Sequence, residues 1–324
     1  MANAAYRQLY IFQRLLTNQV VHKTALAQHF GITPRAIQRD ISQLRTFIAD
    51  QWPMYQLTYQ SEYQGYTLTL DRSSVSKASL LILIKILLAS RSLTTDEMRQ
   101  TIDGLLALIP QADREVLVPI IKNERYYYTP VHHQQPLLTR IWELSQQILH
   151  RQTLTITYER LGHQLVSRTI LPESIIFSEY YFYLVAYYPK YKTHLFFRVD
   201  RIRHVRVATT TIQRDRTDRF EDGRLRQVIQ YMLSGEQTTI RFEYAGSVEA
   251  ALDRFPTAKV IGQGSTPHTR LIETTAVDQG AKVWLLGQGP MVKVLAPASL
   301  VAEMRERIQQ MLANYPASVE GKNG

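Results

Sequence analysis

The 324-residue chain contains no cysteine. That removes a disulfide framework, Cys-ligated zinc, iron–sulfur clusters and thiol catalysis together. Its nine histidines do not make good the loss. His132 and His133 are adjacent, whereas helical ligands need a spacing of three or four and strand ligands a spacing of two. Gly262-Gln263-Gly264 lacks the third glycine and the strand-to-helix setting of a dinucleotide fingerprint, and neither a P-loop nor a Gly-x-Ser-x-Gly elbow occurs. Acidic pairs such as Asp96-Glu97 read as helix N-terminal charges. No metal, no cofactor and no enzymatic activity are therefore expected. Long apolar runs are missing too: Leu80 to Ala89 is too short to span a bilayer and carries Lys85. The first eight residues lack the basic-then-apolar order of a secretory signal. The expectation is a cytoplasmic protein without a membrane partner.

What is abundant is positive charge. Lysine and arginine number 38 against 28 acidic residues, a formal charge of +10, and an excess of this sign favours polyanions. Part of it lies far from the N-terminus, where Arg151, Arg160, Arg168, Lys190, Lys192, Arg198, Arg201, Arg203 and Arg206 face only Glu159, Glu173, Glu179 and Asp200.

The first seventy residues carry the sharpest pattern. Tyr6 to Leu16 reads as a helix with Leu9, Ile11, Phe12, Leu15 and Leu16 on its apolar face, and Asn18 and Gln19 break it. A short helix follows from Lys23 to Phe30. Gly31 then supplies a left-handed turn, Thr33 an N-cap and Pro34 the first helical position. In the third helix, running to about Ile48, Ile37, Ile41, Leu44 and Ile48 form one narrow stripe. Opposite them stand Arg35, Gln38, Arg39, Ser42 and Thr46. Such side chains suit base edges and phosphates: Arg forks onto guanine, Gln pairs with adenine, and hydroxyls serve either. Leu57 to Tyr59 and Tyr66 to Leu70 alternate with period two around Gly65, a hairpin in the position of a wing. The stretch Leu26-Ala27-Gln28-His29-Phe30-Gly31-Ile32-Thr33-Pro34-Arg35-Ala36-Ile37-Gln38-Arg39-Asp40-Ile41 resembles the helix-turn-helix of DeoR-like and WYL-type regulators. The resemblance implies a winged helix-turn-helix that reads double-stranded DNA, with Thr33, Arg35, Gln38, Arg39 and Ser42 as candidate contacts.

Further along, a helix opened by Ser74 or Ser76 runs to Ser90 and is apolar on nearly every side, so it must be covered by its own core or by a second protomer. Thr94 to Glu97 is a capping box for a helix that stops at Pro110. A further helix contains Pro119, which must kink or end it, and Glu124 to Gln135 reads as a linker. Dimerisation through Leu80 to Leu88 would suit a single helix-turn-helix, because paired half-sites multiply modest affinities.

From Leu154 short strands take over: Leu154 to Tyr158, a turn at Gly162, Leu165 to Ile170, Ser174 to Phe177, Tyr181 to Tyr187, His194 to Arg198 and Val205 to Val207. Their even spacing suggests a small barrel. Aromatics and arginines interleave here, as stacking platforms beside cationic forks. Tyr158, Arg168 with Pro172, Phe182 to Tyr187 and Phe197 to Ile202 are similar to a WYL domain, with Phe182-Tyr183-Leu184 standing for Trp-Tyr-Leu. That resemblance implies an Sm-like β-barrel sensing an anionic ligand, a nucleic-acid fragment (oligonucleotide) or a nucleotide-like molecule. It makes Tyr158, Arg168, Tyr183, Arg198 and Arg201 pocket candidates, with His194 a weaker one. Beyond Phe220 the order strand Thr238–Tyr244, helix from Ser247, strands near Lys259 and Leu271, a helix ending at Gly287, strand Val292–Leu295 and helix Ala298–Leu312 is βαββαβ-like. It resembles the ferredoxin-like extension that follows many WYL domains.

The expected architecture is thus an α+β multidomain chain: winged helix-turn-helix (1–72), helical dimerisation region (73–135), Sm-like barrel (136–212) and ferredoxin-like extension (213–324). The function it suggests is a homodimeric, ligand-modulated transcriptional regulator. The competing reading is an accessory module that binds nucleic acid without operator specificity.

Overall fold

The computed structural model describes residues 3–52, 55–70, 76–214 and 220–315. Two compact units divide the chain, 1–138 and 139–324.

In the first unit, α1 (Ala4–Leu16), α2 (Lys23–Phe30) and α3 (Pro34–Gln51) precede a hairpin of β1 (Tyr55–Gln60) and β2 (Gly65–Leu70). The expected stops and caps are present. Gly31 has φ +63°, and the Thr33 side chain accepts from the Ala36 amide. The predicted stripe of Ile37, Ile41, Leu44 and Ile48 is buried together with Ile11, Leu15, Leu26 and Leu57. At about 1.5–3 kcal/mol for each fully buried large aliphatic side chain, this cluster is the main support of the three helices.

One face is narrower than expected. Leu9 and Leu16 of α1 are exposed, because the inward stripe is Arg7, Ile11 and Leu15, spaced by four. Arg7 takes an inward place by forking onto the buried Asp40 of α3, Nε to Oδ2 at 2.8 Å and Nη2 to Oδ1 at 3.2 Å. Removing either partner of such a pair strands the other, at a cost of about 3–5 kcal/mol.

The hairpin is tied to the segment between α1 and α2. Val21 and Tyr66 exchange backbone hydrogen bonds at 2.9 Å, and a Cβ on Gly65 would meet Val20 Cγ1 at 2.4 Å. Glycine is what lets the two backbones approach this closely. The reversal itself lies at Ser61 to Gln64, one step before the expected Gly65.

Next come α4 (Lys77–Ser90), α5 (Thr95–Leu106) and α6 (Gln111–Tyr126). Ser76 caps α4, while Ser74 lies outside the described residues. The capping box at Thr94 and Glu97 forms as read. Pro119 does not end α6: buried Leu117 and Ile121 hold the helix on through Tyr126, outweighing the one backbone hydrogen bond that proline cannot make. Glu124 to Tyr126 are therefore helical rather than linker. The return that follows is packed, with Tyr128 Oη donating to the Leu93 carbonyl at 2.6 Å and the Val131 amide to the Arg91 carbonyl at 3.0 Å.

The second unit opens with α7 (Leu138–Leu149), a helix absent from the sequence-based expectation. Five strands follow: β3 (Leu154–Glu159), β4 (Leu165–Ser178), β5 (Tyr181–Tyr188), β6 (Thr193–Arg198) and, after a 3-10 turn at Val199–Arg201, β7 (Ile202–Val207). The two separate strands expected over 165–177 are one. It pairs with β3 through Leu165–Ile170 and with β5 from Leu171 onward, with a register shift between Pro172 and Ser174 in the second ladder. Such a bulge bends a strand without breaking it. The sheet order is β6-β5-β4-β3-β7. The outer strands β6 and β7 do not pair among the described residues, so the closed barrel expected from even strand spacing is not formed. Strand spacing reports the number of strands but not the stagger that closure requires.

A short helix, α8 (Asp222–Val228), leads to β8 (Gln237–Tyr244), α9 (Val248–Arg254), β9 (Lys259–Gln263), β10 (Arg270–Val277), α10 (Asp278–Gly287), β11 (Val292–Ala296) and α11 (Ala298–Ala313). All pairings are antiparallel in the order β11-β8-β10-β9. The split βαβ arrangement anticipated from the element order is thus present. Ser247 stands at the start of α9, but its hydroxyl bonds to Glu249 at 2.7 Å rather than to a helix amide.

Candidate nucleic-acid and ligand sites

The Gly31 turn and the Thr33 cap start α3 with its polar face outward. Arg35, Arg39, Ser42 and Thr46 are exposed on it, as is Thr33 itself. Arg35 and Arg39 have no ion-pair partner among the described residues. Gln38 differs: it is half-buried, and its Oε1 accepts from the Tyr66 hydroxyl of β2 at 3.0 Å. Sequence reading placed Gln38 with the others because the helical wheel does so. The hairpin that covers one edge of the wheel was not visible to it. Arg45, a further basic residue of α3, donates through Nε to the Leu57 carbonyl at 3.0 Å and joins helix to hairpin.

The pocket candidates of the second unit fall into three groups. Tyr183 and Arg198 are cross-strand partners on β5 and β6. Arg198 forks onto the buried Asp200, Nε to Oδ1 at 3.1 Å and Nη2 to Oδ2 at 2.8 Å, and stacks over the Tyr181 ring at 3.4 Å. Burial pulls the guanidinium toward losing its proton, and Asp200 more than restores it, so Arg198 titrates above its ordinary value. Burial raises the Tyr183 hydroxyl, against the Arg198 charge. Tyr158 packs its ring edge-on to Phe197 at 5.2 Å beside this group. Arg201, on the 3-10 turn, is half-buried without an ion-pair partner among the described residues.

Arg168 belongs elsewhere. It donates to the Ser167 carbonyl at 2.9 Å and lies 5.9 Å from the Tyr188 ring centre. His194 forms a third group: its Nε2 lies 2.6 Å from Glu173 Oε2 and 2.9 Å from Arg214 Nη1, while Arg214 reaches Glu173 Oε1 at 2.5 Å and stacks on Tyr187 at 4.6 Å. Beside Glu173 and Arg214 opens a cavity of about 590 Å³.

Two family models match this chain, the WYL domain over residues 141–207 and the WCX domain over residues 234–312. It contains a WYL domain and a WCX domain. The matched WYL segment begins within α7 and ends with β7, so it holds Tyr158, Tyr183, Arg198 and Arg201 with the unanticipated Tyr181 and Asp200. In the signature position, Phe182 packs on Phe177 at 5.1 Å. The WCX match covers β8 to α11. Among solved structures, the chain is similar to proteasome accessory factor B/C (PafBC) of Arthrobacter aurescens, at 16% identity and a TM-score of 0.30. That match covers 96% of this chain and 49% of the other, so the chain spans about half the length of that protein. It is also similar to a CRISPR Cas-related protein, at 16% identity and a TM-score of 0.38, over 77% of this chain and 76% of the other. No curated protein matches. The family assignment rests on the two domain models.

Asp200 was within reach of sequence reading, since it sits in Phe197 to Ile202, which carries the WYL resemblance, and Tyr181 immediately precedes the other such segment, Phe182 to Tyr187. Glu173 and Arg214 were not. They are 41 residues apart, and only the fold brings them together. Among the described residues no helix is long and apolar enough to cross a membrane, and no cluster of His, Asp and Glu has the geometry of a metal site.

Proposed function

We propose that this WYL-domain protein is a sequence-specific DNA-binding transcriptional regulator of the cytoplasm, acting as a homodimer and without enzymatic activity. Its first three helices and hairpin serve as a winged helix-turn-helix. The observation that carries this reading is the outward face of α3. Arg35 and Arg39 stand exposed and without ion pairs on a helix whose N-terminus is capped by Thr33, beside a hairpin fastened to the same small core. Unneutralised arginines at such a position are ready to exchange counterions for phosphates or to fork onto guanine, each good base contact being worth about 1–3 kcal/mol.

The signal would enter through the WYL domain. Arg198 already holds a carboxylate, Asp200, in the geometry that a phosphate would take. An anionic ligand met first by Arg201 would compete with Asp200 for that guanidinium and loosen the turn Val199–Arg201. To carry the protein from 1:99 to 99:1 between DNA-binding states, the ligand must prefer one state by roughly 10⁴-fold, or about 5.5 kcal/mol.

Selection from a random duplex pool tests the reading. An enriched inverted repeat is expected, and Arg39→Ala should weaken binding to it by about tenfold or more without changing the fold, since Arg39 is exposed. Failure to enrich any duplex, with binding to single strands instead, would overturn it in favour of a nucleic-acid-binding accessory module.

A further inference from the structure

The cavity at the β4 bulge is separate from the Tyr183–Arg198 group, and its chemistry is different. Four charged side chains line it: Arg151 at the end of α7, Glu173 in the bulge, Arg214, and Asp222 at the start of α8. Two are basic and two acidic, so the lining is neutral overall. Glu173 and Arg214, each 13% exposed, satisfy one another, and His194 occupies the second oxygen of Glu173. Arg151 and Asp222 are the charges left over. Both are exposed, and neither has an ion-pair partner among the described residues. Among the described residues, Asp222 receives only the Ser174 hydroxyl at 3.4 Å and its neighbouring amide. The remaining wall is mainly apolar, with Ile148, Leu171, Pro172 and Phe220 on it, and carries the polar Ser174 and Gln213.

A volume of about 590 Å³ falls in the range of small-molecule sites, which combine an apolar lining with a few placed polar groups. A polyanion would meet the two carboxylates as well as the two arginines and gain little. A molecule carrying one charge of each sign would answer both free side chains and bury its body against the apolar wall. We infer that this cavity is a second ligand site, built for a small zwitterion of the amino-acid type with an apolar side chain. Its carboxylate goes to Arg151, its ammonium to Asp222, and the side chain sits against Phe220 and Leu171.

Titration calorimetry of the full-length protein with each of the twenty proteinogenic amino acids, and with adenosine monophosphate as the anionic comparator, tests this site. At least one neutral apolar amino acid should bind saturably, and adenosine monophosphate should not compete with it. Asp222→Asn and Arg151→Asn should each weaken that binding by about tenfold. Asparagine suits both positions: it can still stand at the start of α8, and it tolerates the left-handed backbone (φ +50°) of residue 151. Leu149→Trp, an exposed position on the rim, should block the cavity and abolish binding while leaving the thermal unfolding of the protein unchanged. Absence of saturable binding by every amino acid would overturn the inference. So would binding that persists in Leu149→Trp, or competition by adenosine monophosphate. DNA binding does not enter these measurements, so either proposal can fail without the other.

Discussion

Tyr128 shows how one side chain can register its surroundings without taking part in any site. Its hydroxyl is directed at the Leu93 carbonyl, and burial pushes its pKa up to about 12. Tyr63 rises to about 12 as well, through burial first and then its hydrogen bond to Asp113. Because the folded-state values lie above the ordinary 10, the fold favours the neutral phenols. Their contribution to stability is complete below pH 10 and is lost as pH climbs from about 10 to 12. In an alkaline titration followed by phenolate absorbance, these two tyrosines should be among the last to ionise, with Tyr183 also delayed, and Tyr128→Phe should remove one of the late steps. A single step near pH 10 for all tyrosines would contradict the packing described. At this scale the sequence was most legible where a residue acts through its immediate neighbours. The left-handed Gly31, the Thr33 cap and the Thr94–Glu97 box needed only a few residues of context. Asp40 stood in plain view within the Gln38-Arg39-Asp40-Ile41 motif, yet its role depends on Arg7, 33 positions earlier. No local pattern announces such a pair.

Elements were read well where periodicity is strong and poorly where it changes midway. The stripe of α3 was evident. The helix α7 was missed although Ile141, Leu144 and Ile148 keep a helical spacing, because it lies between a proline-rich return and the first strand. The single strand β4 was divided in two because Pro172 looks like an end, whereas at a bulge proline is tolerated. Glu97 joins two parts of the first unit. Its Oε2 accepts from the Thr94 amide and hydroxyl, and its Oε1 accepts from the Leu137 and Leu138 amides at 2.6 and 2.7 Å. One buried carboxylate thus satisfies the start of α5 and the last two amides of the first unit, Leu137 and Leu138. Glu97→Ala should cost about 2–4 kcal/mol, summing a lost cap and newly orphaned buried amides. Hydrogen exchange should speed up at Leu137 and Leu138 as well as at the first turn of α5. Acceleration confined to α5 would show that the second anchoring is idle.

Over the whole molecule, sequence recovered the α+β character and the WYL resemblance, and lost the closure of the central sheet, which depends on strand stagger. It also posed a question about α4 that one protomer answers only in part. Leu80, Ile84 and Leu88 are buried, whereas Ile82, Leu83 and Ile86 are exposed, as are Val116 and Ile120 of α6, the helix that packs on α4. Under the proposed dimer these side chains are the ones a second protomer would cover. Ile86→Glu, at a position 62% exposed, should leave each protomer folded and shift sedimentation equilibrium from dimer to monomer. Affinity for an inverted repeat should fall with it, while affinity for a half-site stays the same. A wild-type protein that sediments as a monomer at micromolar concentration would remove this part of the proposal.

The bond between Tyr66 and Gln38 bears on the grammar of any site this protein reads. With its carbonyl oxygen turned toward the hairpin, the Gln38 amide offers its N–H side outward and speaks as a donor. Adenine is singled out by an amide that gives and receives at once, whereas a donor alone finds an acceptor on adenine (N7), guanine (N7 and O6) and thymine (O4), and is refused only by cytosine. The base facing Gln38 should therefore exclude cytosine and be specified no further. Tyr66→Phe, by releasing the amide to turn over, should convert that tolerance into a preference for adenine in the selected sequences; an unchanged degeneracy would mean that the hairpin has no part in setting the alphabet.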